Sequence, residues 1–200
     1  MMPTFTKIEE IEIVSIKKLI EFHYDNAVIR LPDQLKSFLE THGIITGGIT
    51  ASVADGGPPN DIDVYLMSKE AVDAFRSAVT SASAGSLLME HIKSVNQKYP
   101  IETIVDGKLV TANATTFEGG LQVITMDTSD MRKHFDMIHC MPWYSLSHKQ
   151  FHISRAQYDS IKSKKVVQNP LCKPGISKRR LQKYVDRGWT YNIIEDEVNA

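Results

Sequence analysis

Apolar and polar positions along the chain follow two periods, that of an α-helix and that of a β-strand. Residues 33–43 and 69–80 carry apolar side chains at helical spacing, and Asp33 and Gly43 mark the expected N-cap and C-terminal stop of the first helix. Residues 61–67, DIDVYLM, alternate strictly, so their apolar side chains face one way and the two aspartates face the other. The pattern predicts helices packed against a half-buried strand.

The second half of the chain predicts a hairpin followed by helices. Residues 108–117 and 121–126 are rich in β-forming residues, and the Glu118-Gly119-Gly120 segment that joins them has the composition of a hairpin turn. Farther along, residues 148–165 and 177–189 carry helical patterns. We therefore expect an α/β chain of the α+β type, in which a small mixed β-sheet is flanked by helices and carries a helical C-terminal extension.

Length and composition favour one compact unit. With 200 residues and 42% hydrophobic content, the chain suffices for one substantial core. We expect that core, with its N-terminal helices, over residues 1–128, and the extension packed on it over residues 129–200. The formal net charge of −1 argues against a general attraction to nucleic acid, so such a contact must come from a local basic patch.

The N-terminal region and the cysteines indicate the cytoplasm. Charged residues between positions 7 and 18 interrupt every apolar stretch that could serve as a signal peptide, and no segment is expected to enter a membrane. The two cysteines, Cys140 and Cys172, argue against a disulfide framework and are expected to be reduced thiols. We expect a cytoplasmic protein.

Two carboxylates share one face of the predicted strand. Asp61 and Asp63 stand at positions i and i+2, which places them about 7 Å apart along the backbone and lets both converge on one metal ion. Left alone, adjacent carboxylates repel each other, and a divalent cation neutralises them while it presents a nucleotide phosphate. The pair therefore implies Mg²⁺, or Mn²⁺ in its place.

A glycine pair precedes these carboxylates. Gly47 and Gly48 carry no side-chain bulk, so their backbone N–H groups can approach a phosphate, particularly if a helix begins there. Thr50 and Ser52 follow directly and are candidate nucleotide-binding residues. Taken singly, a Gly-Gly pair is more often a turn and an Asp-x-Asp pair more often a solvated edge, so the order of the two motifs is what indicates a site.

The order GG, ITASVADGGPPN and DID resembles the DNA polymerase β-like nucleotidyltransferase superfamily, whose signature is a helix, a Gly-Gly or Gly-Ser turn, a short spacer and Asp-x-Asp on a strand. The resemblance implies a small mixed sheet flanked by helices, a nucleoside triphosphate bound through two Mg²⁺ ions, and transfer of a nucleotidyl group. It assigns the phosphates to Gly47 and Gly48 and the metal to Asp61 and Asp63. More loosely, the segments QVI, FDMIHCM and KRRLQKYVDRGW are similar to small nucleotidyltransferase-like proteins of bacteriophages, for which the compartment is the host cytoplasm.

The resemblance is incomplete at the third carboxylate, which in catalytic members lies on a neighbouring strand and helps activate the attacking hydroxyl. The matching strand, LQVITM, contains no acid, and Gln122 occupies the expected position, while Asp127 has the opposite strand parity. The Gln122 amide oxygen can contact a metal but neither carries a charge nor accepts a proton. Glu118 and Asp136 are the alternative acids, each with a simpler role as a solvated turn residue or a cap.

Histidines and cysteines in the C-terminal half raise the question of zinc. His148 and His152 stand at i and i+4 of the predicted helix 148–165, with His139, Cys140 and Cys172 also available. There is no C-x-x-C motif, and a buried cysteine commonly acts as a small hydrophobic residue. The pattern therefore favours structural roles over a zinc site.

A basic segment near the C-terminus is the candidate phosphate-binding surface. Arg179, Lys183 and Arg187 fall on one face of the predicted helix 177–189, and aromatic residues lie between them in sequence. Such a stripe can clamp a triphosphate or an RNA backbone, and it can equally be a solvated helix face. We assign Arg179 and Lys183 to the candidate nucleotide site.

Three functions remain open from the sequence. The first is a Mg²⁺-dependent nucleotidyltransferase that moves a nucleoside monophosphate from a nucleoside triphosphate to a hydroxyl on RNA, a protein or a small molecule, with Asp61, Asp63 and Gln122 as its catalytic group. The second is a nucleotide- or RNA-binding protein on the same fold that has lost turnover. The third is an interaction protein whose aspartates face solvent. The base, the acceptor and the pathway are not encoded in any motif.

Overall fold

A computed structural model describes residues 4–81, 92–96, 103–105, 108–110, 114–126, 133–172 and 175–191. Its α-helices are α1 (Lys7–Val28), α2 (Asp33–His42), α3 (Ile49–Ala54), α4 (Lys69–Ser81), α5 (Arg155–Lys162) and α6 (Lys178–Val185). Its strands are β1 (Gly43–Thr46), β2 (Ile62–Leu66), β3 (Ile92–Asn96), β4 (Thr103–Val105), β5 (Lys108–Val110), β6 (Ala114–Phe117), β7 (Leu121–Ile124), β8 (Trp143–Ser145), β9 (Gln150–His152), β10 (Lys165–Val166) and β11 (Thr190–Tyr191).

Seven of these strands form one mixed sheet in the order β3-β6-β7-β2-β1-β8-β9. Strands β2 and β7 run parallel, and the pairs on both sides of them run antiparallel. Separate two-stranded ladders join β4 to β5 and β10 to β11. The α+β class and the mixed sheet expected from the sequence are thus confirmed.

The first core lies between helices and one face of the sheet. Ile20 of α1, Leu39 of α2 and Phe75 of α4 are buried in it, together with Val64 and Leu66 of β2. These strand residues are the apolar half of the DIDVYLM alternation, as the period-two pattern requires. The polar half, including Asp63, is therefore directed to the opposite face.

The second core covers part of that opposite face. It is built from Phe135, Met137 and Cys140 together with Tyr184 of α6 and Trp189. Tyr65, which alternates with the first-core residues along β2, packs against it, and its ring centroid lies 5.8 Å from that of Phe135. The residues after β7 thus build a wall beside the polar face of β2.

Most elements predicted from local patterns are present. The helices over 33–43 and 69–80 appear as α2 and α4, the strand over 61–67 as β2, the hairpin as β6 and β7, and the helix over 177–189 as α6. Pro32 rather than Asp33 is the N-cap of α2, and no side chain caps that end. Within residues 108–117 the strands are β5 and β6, separate members of two ladders.

The single helix predicted over 148–165 is wrong. Its first part forms strand β9, which pairs with β8 across a turn that contains Lys149 at a φ of 52°. The helix α5 begins only after Ser154, whose side chain accepts a hydrogen bond from the backbone N–H of Gln157 while the Gln157 side chain accepts one from the Ser154 N–H. Strand β8 explains the difference, because one of its edges pairs with β1 and residues 150–152 pair with its other edge, an arrangement that no helical pattern reports. The division of the chain at residue 128 stays a prediction.

Candidate functional site

The polar face of β2 carries a row of residues that crosses the sheet. In this row Asp63 lies between Thr46 of β1 and Gln122 of β7, and Gln122 is followed by Thr116 of β6. Residues directly opposite on neighbouring strands project from the same face, so these side chains stand side by side. Asp61, just before β2, is exposed, whereas Asp63 is half-buried. The register therefore places Gln122 beside Asp63, at the position the sequence pattern indicated for a third metal-binding residue.

Gly47 makes room for the Asp63 carboxylate. It has a φ of 96°, which only glycine adopts readily, and a Cβ added to it would lie 3.0 Å from Asp63 Oδ2. Its backbone N–H donates to the carbonyl oxygen of Cys140 at 3.0 Å. This donor is thus used inside the protein, and the contribution of Gly47 to the site is the space it leaves.

Gly48 caps α3 and faces α6. A Cβ at Gly48 would lie 3.6 Å from the hydroxyl oxygen of Tyr184, so the turn between β1 and α3 passes directly under that ring. The Tyr184 hydroxyl also lies 3.2 Å from Cys140 Sγ. Tyr184 therefore holds α6 close to the glycine pair.

Thr50 and Ser52 point into the protein. Thr50 is 1% exposed, and its hydroxyl has no hydrogen-bond partner among the residues the structure describes. Ser52 Oγ donates to the carbonyl oxygen of Gly48 at 3.1 Å and accepts from Arg187 Nη2 at 3.0 Å. In this arrangement Ser52 ties the glycine turn to the segment that follows α6, and the sequence had not assigned Arg187 to the site.

The pKa of Asp63 is raised from 3.8 to about 6, first by burial and then by the Asp61 carboxylate, and Lys183 and Arg180 oppose the rise. Asp61 therefore disfavours the charged form of Asp63, and the basic residues Lys183 and Arg180 of α6 favour it. Arg179 is exposed on the same helix and is not among the groups that act on Asp63.

Arg180 was missed by the sequence analysis as a site residue. Its guanidinium Nε lies 3.3 Å from Asp136 Oδ2, and Asp136 is 5% exposed. Burial raises the pKa of the Asp136 carboxyl, and Arg180 acts against that rise. The spacing of Arg180 and Lys183, three apart on one helix, was the available signal that both share a face.

The donor set suits Mg²⁺ but contains two carboxylates only. Within the described part of the chain no three His, Cys, Asp or Glu side chains cluster in a way that could hold a metal ion. Asp136 is paired with Arg180 through Oδ2, Glu118 is exposed in the hairpin turn, and Asp127 lies outside the described residues. Mg²⁺ is commonly bound by one or two carboxylates together with water and substrate phosphates. Asp61 and Asp63, with the amide oxygen of Gln122, therefore fit that ion.

The histidines considered for zinc are not brought together. His152 stacks on Trp143 with ring centroids 3.9 Å apart, and His148 Nδ1 lies 3.0 Å from Ser145 Oγ. These two histidines do not share a helix face, because His152 belongs to β9 and His148 to the turn before it. The structure thus removes the geometric basis of a zinc site formed by His148 and His152.

A buried aromatic cluster stands behind the site. His139 is fully buried, with ring centroids 4.4 Å from both Tyr184 and Trp189, and neither of its ring nitrogens has a partner among the described residues. Burial first, and then the positive charges of Arg180 and Arg187, lower the pKa of His139 to about 3. His139 is therefore neutral and acts as an aromatic packing residue that supports Tyr184.

Comparison with known proteins gives a family and a fold. The sequence matches the family described as Gabija anti-defense 2 family protein over residues 18–164. The structure is similar to that of the Thermotoga maritima CCA-adding enzyme complexed with tRNA_CCA, with a TM-score of 0.50 and 12% identity, over 90% of this chain and 43% of that one. A CCA-adding enzyme in its apo form I aligns with a TM-score of 0.46 and 12% identity, over 86% of this chain and 42% of that one.

These similarities have clear bounds. The chain spans less than half the length of either solved structure. No protein of curated function matches the sequence. At 12% identity the likeness shows a nucleotidyltransferase-like fold.

Among the described helices, none combines the length and apolar content needed to cross a bilayer.

Proposed function

The chain belongs to the Gabija anti-defense 2 family, and from that premise we propose that it is a Mg²⁺-dependent nucleotidyltransferase. It moves a nucleoside monophosphate from a nucleoside triphosphate to a hydroxyl acceptor. We further propose that this transfer counters the defence named in the family's description. Mn²⁺ can take the place of Mg²⁺, because both are bound by carboxylate oxygens.

The observation that carries the proposal is the environment of Asp63. Its half-buried carboxylate has a second acid, Asp61, next to it, a glycine turn that leaves it space, and the basic face of α6 opposite. A pair of acids facing Lys183 and Arg180 is complementary to a metal-bound triphosphate, since the metal neutralises the acids and the cations neutralise the phosphates. A purely structural acid pair has no need of such surroundings.

In the proposed reaction the acceptor oxygen attacks the α-phosphorus of the nucleotide. The bond from that phosphorus to the oxygen bridging to the β-phosphate breaks, and pyrophosphate leaves with the electron pair. When bound at Asp61 and Asp63, Mg²⁺ supplies charge neutralisation for the phosphate oxygens. Lys183 and Arg180 stabilise the negative charge that accumulates on the leaving pyrophosphate, and Tyr184 and Arg187 hold α6 in place to do so.

Gln122 sets a limit on the rate. It occupies the register position beside Asp63 but cannot take the proton of the acceptor hydroxyl. The proton therefore passes to solvent, and loss of general-base help costs about 10²- to 10⁴-fold in rate. We expect a slow transferase whose Gln122→Glu variant is faster.

Transfer of label tests the proposal directly. The purified protein is incubated with each of the four α-labelled nucleoside triphosphates, Mg²⁺ or Mn²⁺, and an extract of host cells. We expect label to move onto a macromolecule or small molecule, and the doubly substituted Asp61→Asn, Asp63→Asn protein to lose at least about a hundredfold in rate because it cannot hold the metal. Asp73→Asn, an exposed acid of α4, is the matched control and should transfer normally. Equal transfer by the double variant would remove the site from the reaction.

A nucleotide-binding protein without turnover is the second candidate. It is favoured by the absence of a third carboxylate near Asp61 and Asp63 among the described residues. Saturable binding of nucleotide with no label transferred, in the wild type and in Gln122→Glu alike, would establish it in place of the transferase.

A further inference from the structure

An apolar groove lies beside the candidate site. It has a volume of about 640 Å³ and runs between the first half of α1, the β8–β9 hairpin and the start of α5. Aromatic and aliphatic side chains dominate its lining, chiefly Phe5, Ile13, Val14, Met141, Trp143 and Phe151. Glu10 is the one carboxylate among the described lining residues, so the groove does not attract phosphate by charge.

Two aromatic rings in this groove form a stacked pair. The indole of Trp143 and the imidazole of His152 are 3.9 Å apart at an interplanar angle of 13°. Trp143 is half-buried and His152 is exposed, so part of the pair is open to solvent. Large aromatic side chains are usually buried on folding, and a parallel exposed stack offers a flat apolar surface to a planar ligand.

The pair belongs to the same row of the sheet as Asp63. Ile45 of β1 pairs with Tyr144 of β8, so the next position in register sets Thr46 opposite Trp143, and Thr46 is itself opposite Asp63. Two strand spacings correspond to about 10 Å between the backbones of Trp143 and Asp63.

A short backbone segment separates the two positions. The carbonyl oxygens of Cys140 and Pro142 accept hydrogen bonds from Thr46 Oγ1 at 3.2 and 2.9 Å, which places residues 140–142 over Thr46. This segment is the wall that the groove and the Asp63 site share. A ligand that reaches both must therefore pass over the wall, as an extended chain can.

We propose that the Trp143–His152 pair is a stacking platform for a nucleobase of a single-stranded nucleic acid, which enters as the acceptor of the transfer. This inference rests on the proposed function and names its acceptor class. A base set back along the acceptor strand stacks in the groove, while the strand crosses residues 140–142 and presents its terminal hydroxyl at Asp63. Base stacking on aromatic rings tolerates any sequence, because every base has a π-face.

Intrinsic fluorescence provides a direct probe. The chain contains two tryptophans, and Trp189 is 2% exposed, so quenching by a ligand in the groove reports Trp143. The wild type is titrated, without divalent metal, with a short single-stranded oligoadenylate and separately with ATP. We expect saturable quenching by the oligonucleotide at concentrations where ATP gives little, and persistence of the signal in Asp63→Asn.

Variants separate stacking from folding. Trp143→Ala should weaken oligonucleotide binding, measured by filter retention, by roughly tenfold, as expected for loss of one stacked base, and Trp143→Phe should retain most of the affinity. His152→Ala removes an exposed ring and leaves the core intact, so it should weaken binding without lowering the melting temperature. Phe22→Ala, an exposed aromatic residue of α1 outside the groove lining, is the control and should bind as the wild type does.

The outcomes distinguish this inference from the proposed function. Oligonucleotide binding that is unchanged in both Trp143→Ala and His152→Ala overturns the platform, as does quenching by ATP alone, which would assign the groove to the incoming nucleotide. Label transferred only to a protein or small molecule, with no oligonucleotide bound, overturns the platform while the transferase stands. Quenching by oligonucleotide with no label transferred supports base stacking in the groove, contradicts the transferase, and overturns the role of the bound strand as its acceptor.

Discussion

The two faces of the sheet have different chemistry. The face covered by α1, α2 and α4 buries aliphatic and aromatic side chains, and Tyr24, whose hydroxyl has no hydrogen-bond partner among the described residues, belongs to its core. The face that carries Asp63 is bounded by a core in which Asp136, His139 and Trp189 all bury polar atoms without partners. Burying such groups costs free energy that apolar contacts have to offset.

The difference indicates which face supplies stability and which face carries the proposed site. The apolar packing on the first face offsets the free-energy cost of two perturbed groups on the second. These are the Asp63 carboxyl, whose pKa is raised, and the His139 imidazole, which is buried and neutral. Perturbed ionisable groups beside a cleft are typical of functional sites. Substitutions on the first face should therefore destabilise the protein, and several on the second should stabilise it at the expense of activity.

The largest effect is expected on the first face. Leu66 of β2 is fully buried in the first core, so Leu66→Ala should lower the free energy of unfolding by about 3 kcal/mol, within the usual range for such truncations. Urea denaturation followed by circular dichroism measures it. The neighbouring Met67 is 51% exposed, and Met67→Ala should change stability by less than about 0.5 kcal/mol. Equal effects of the two substitutions would contradict the assignment of stability to this face.

The next effect has the opposite sign. The folded-state pKa of Asp63 is raised from 3.8 to about 6, so the folded protein binds this proton more tightly than the unfolded chain does. The contribution of Asp63 to stability is therefore lost as the pH rises from about 4 to about 6.

Asp63→Asn has no such proton to lose. At pH 7.5 without divalent metal, its free energy of unfolding should exceed that of the wild type by about 1–2 kcal/mol. At pH 4 the two proteins should have the same free energy of unfolding. Added Mg²⁺ should narrow the gap by stabilising the wild type alone. A variant less stable than the wild type at pH 7.5 would show that Asp63 is a structural acid.

A smaller effect is expected at His139 near neutral pH. Its folded-state pKa is lowered from 6.5 to about 3, so the contribution of His139 to stability should be lost as the pH falls from about 6.5 to about 3. His139→Phe keeps an aromatic ring and removes two nitrogens without partners, so it should change the free energy of unfolding by less than about 1 kcal/mol at pH 7. The variant should also lose part of the acid sensitivity, measured by urea denaturation across pH 4 to 7. If the free energy of unfolding of His139→Phe depended on pH as that of the wild type does, His139 would not be the source of the acid sensitivity.

The smallest effect concerns the basic helix. Lys183 acts on Asp63 and Arg179 does not, so Lys183→Ala should weaken nucleotide binding about two- to fivefold in low salt, and Arg179→Ala should do less. The double neutralisation should exceed either single change. Affinities for labelled nucleotide at low and high salt are the measurement, and the differences should shrink as salt screens them. Unchanged affinity in low salt would remove α6 from the site.

The sequence predicted those features of the fold that neighbouring residues determine. The alternation of DIDVYLM predicted both the strand and the face on which Asp63 stands, because successive side chains of a strand point to opposite sides. The hairpin around Gly119 and Gly120 was predicted from composition, and both glycines indeed have positive φ. The sequence pattern indicated Gln122 for the third position of the site, and the register of the parallel pair of β2 and β7 sets Gln122 beside Asp63.

What the sequence left out depends on contacts between distant residues. The pairing of Arg180 with Asp136 and the approach of Tyr184 to Gly48 join segments whose separation no periodic pattern encodes. The helix expected over 148–165 failed because residues 150–152 form a hairpin with β8, which is itself held in the sheet by β1, about a hundred residues earlier. The role of Gly47, which is to leave space for the Asp63 carboxylate, likewise depends on a contact that the sequence does not reveal.

The distance along the chain between the parts of the site has a consequence for biosynthesis. Thr46 and Cys140 are 94 residues apart, and Ser52 and Arg187 are 135 apart. A nascent chain therefore presents its acid pair long before the helix that faces it has left the ribosome. The contact between Ser52 and Arg187, and with it the approach of α6 to the acid pair, can form only after all the residues from 52 to 187 have been synthesised.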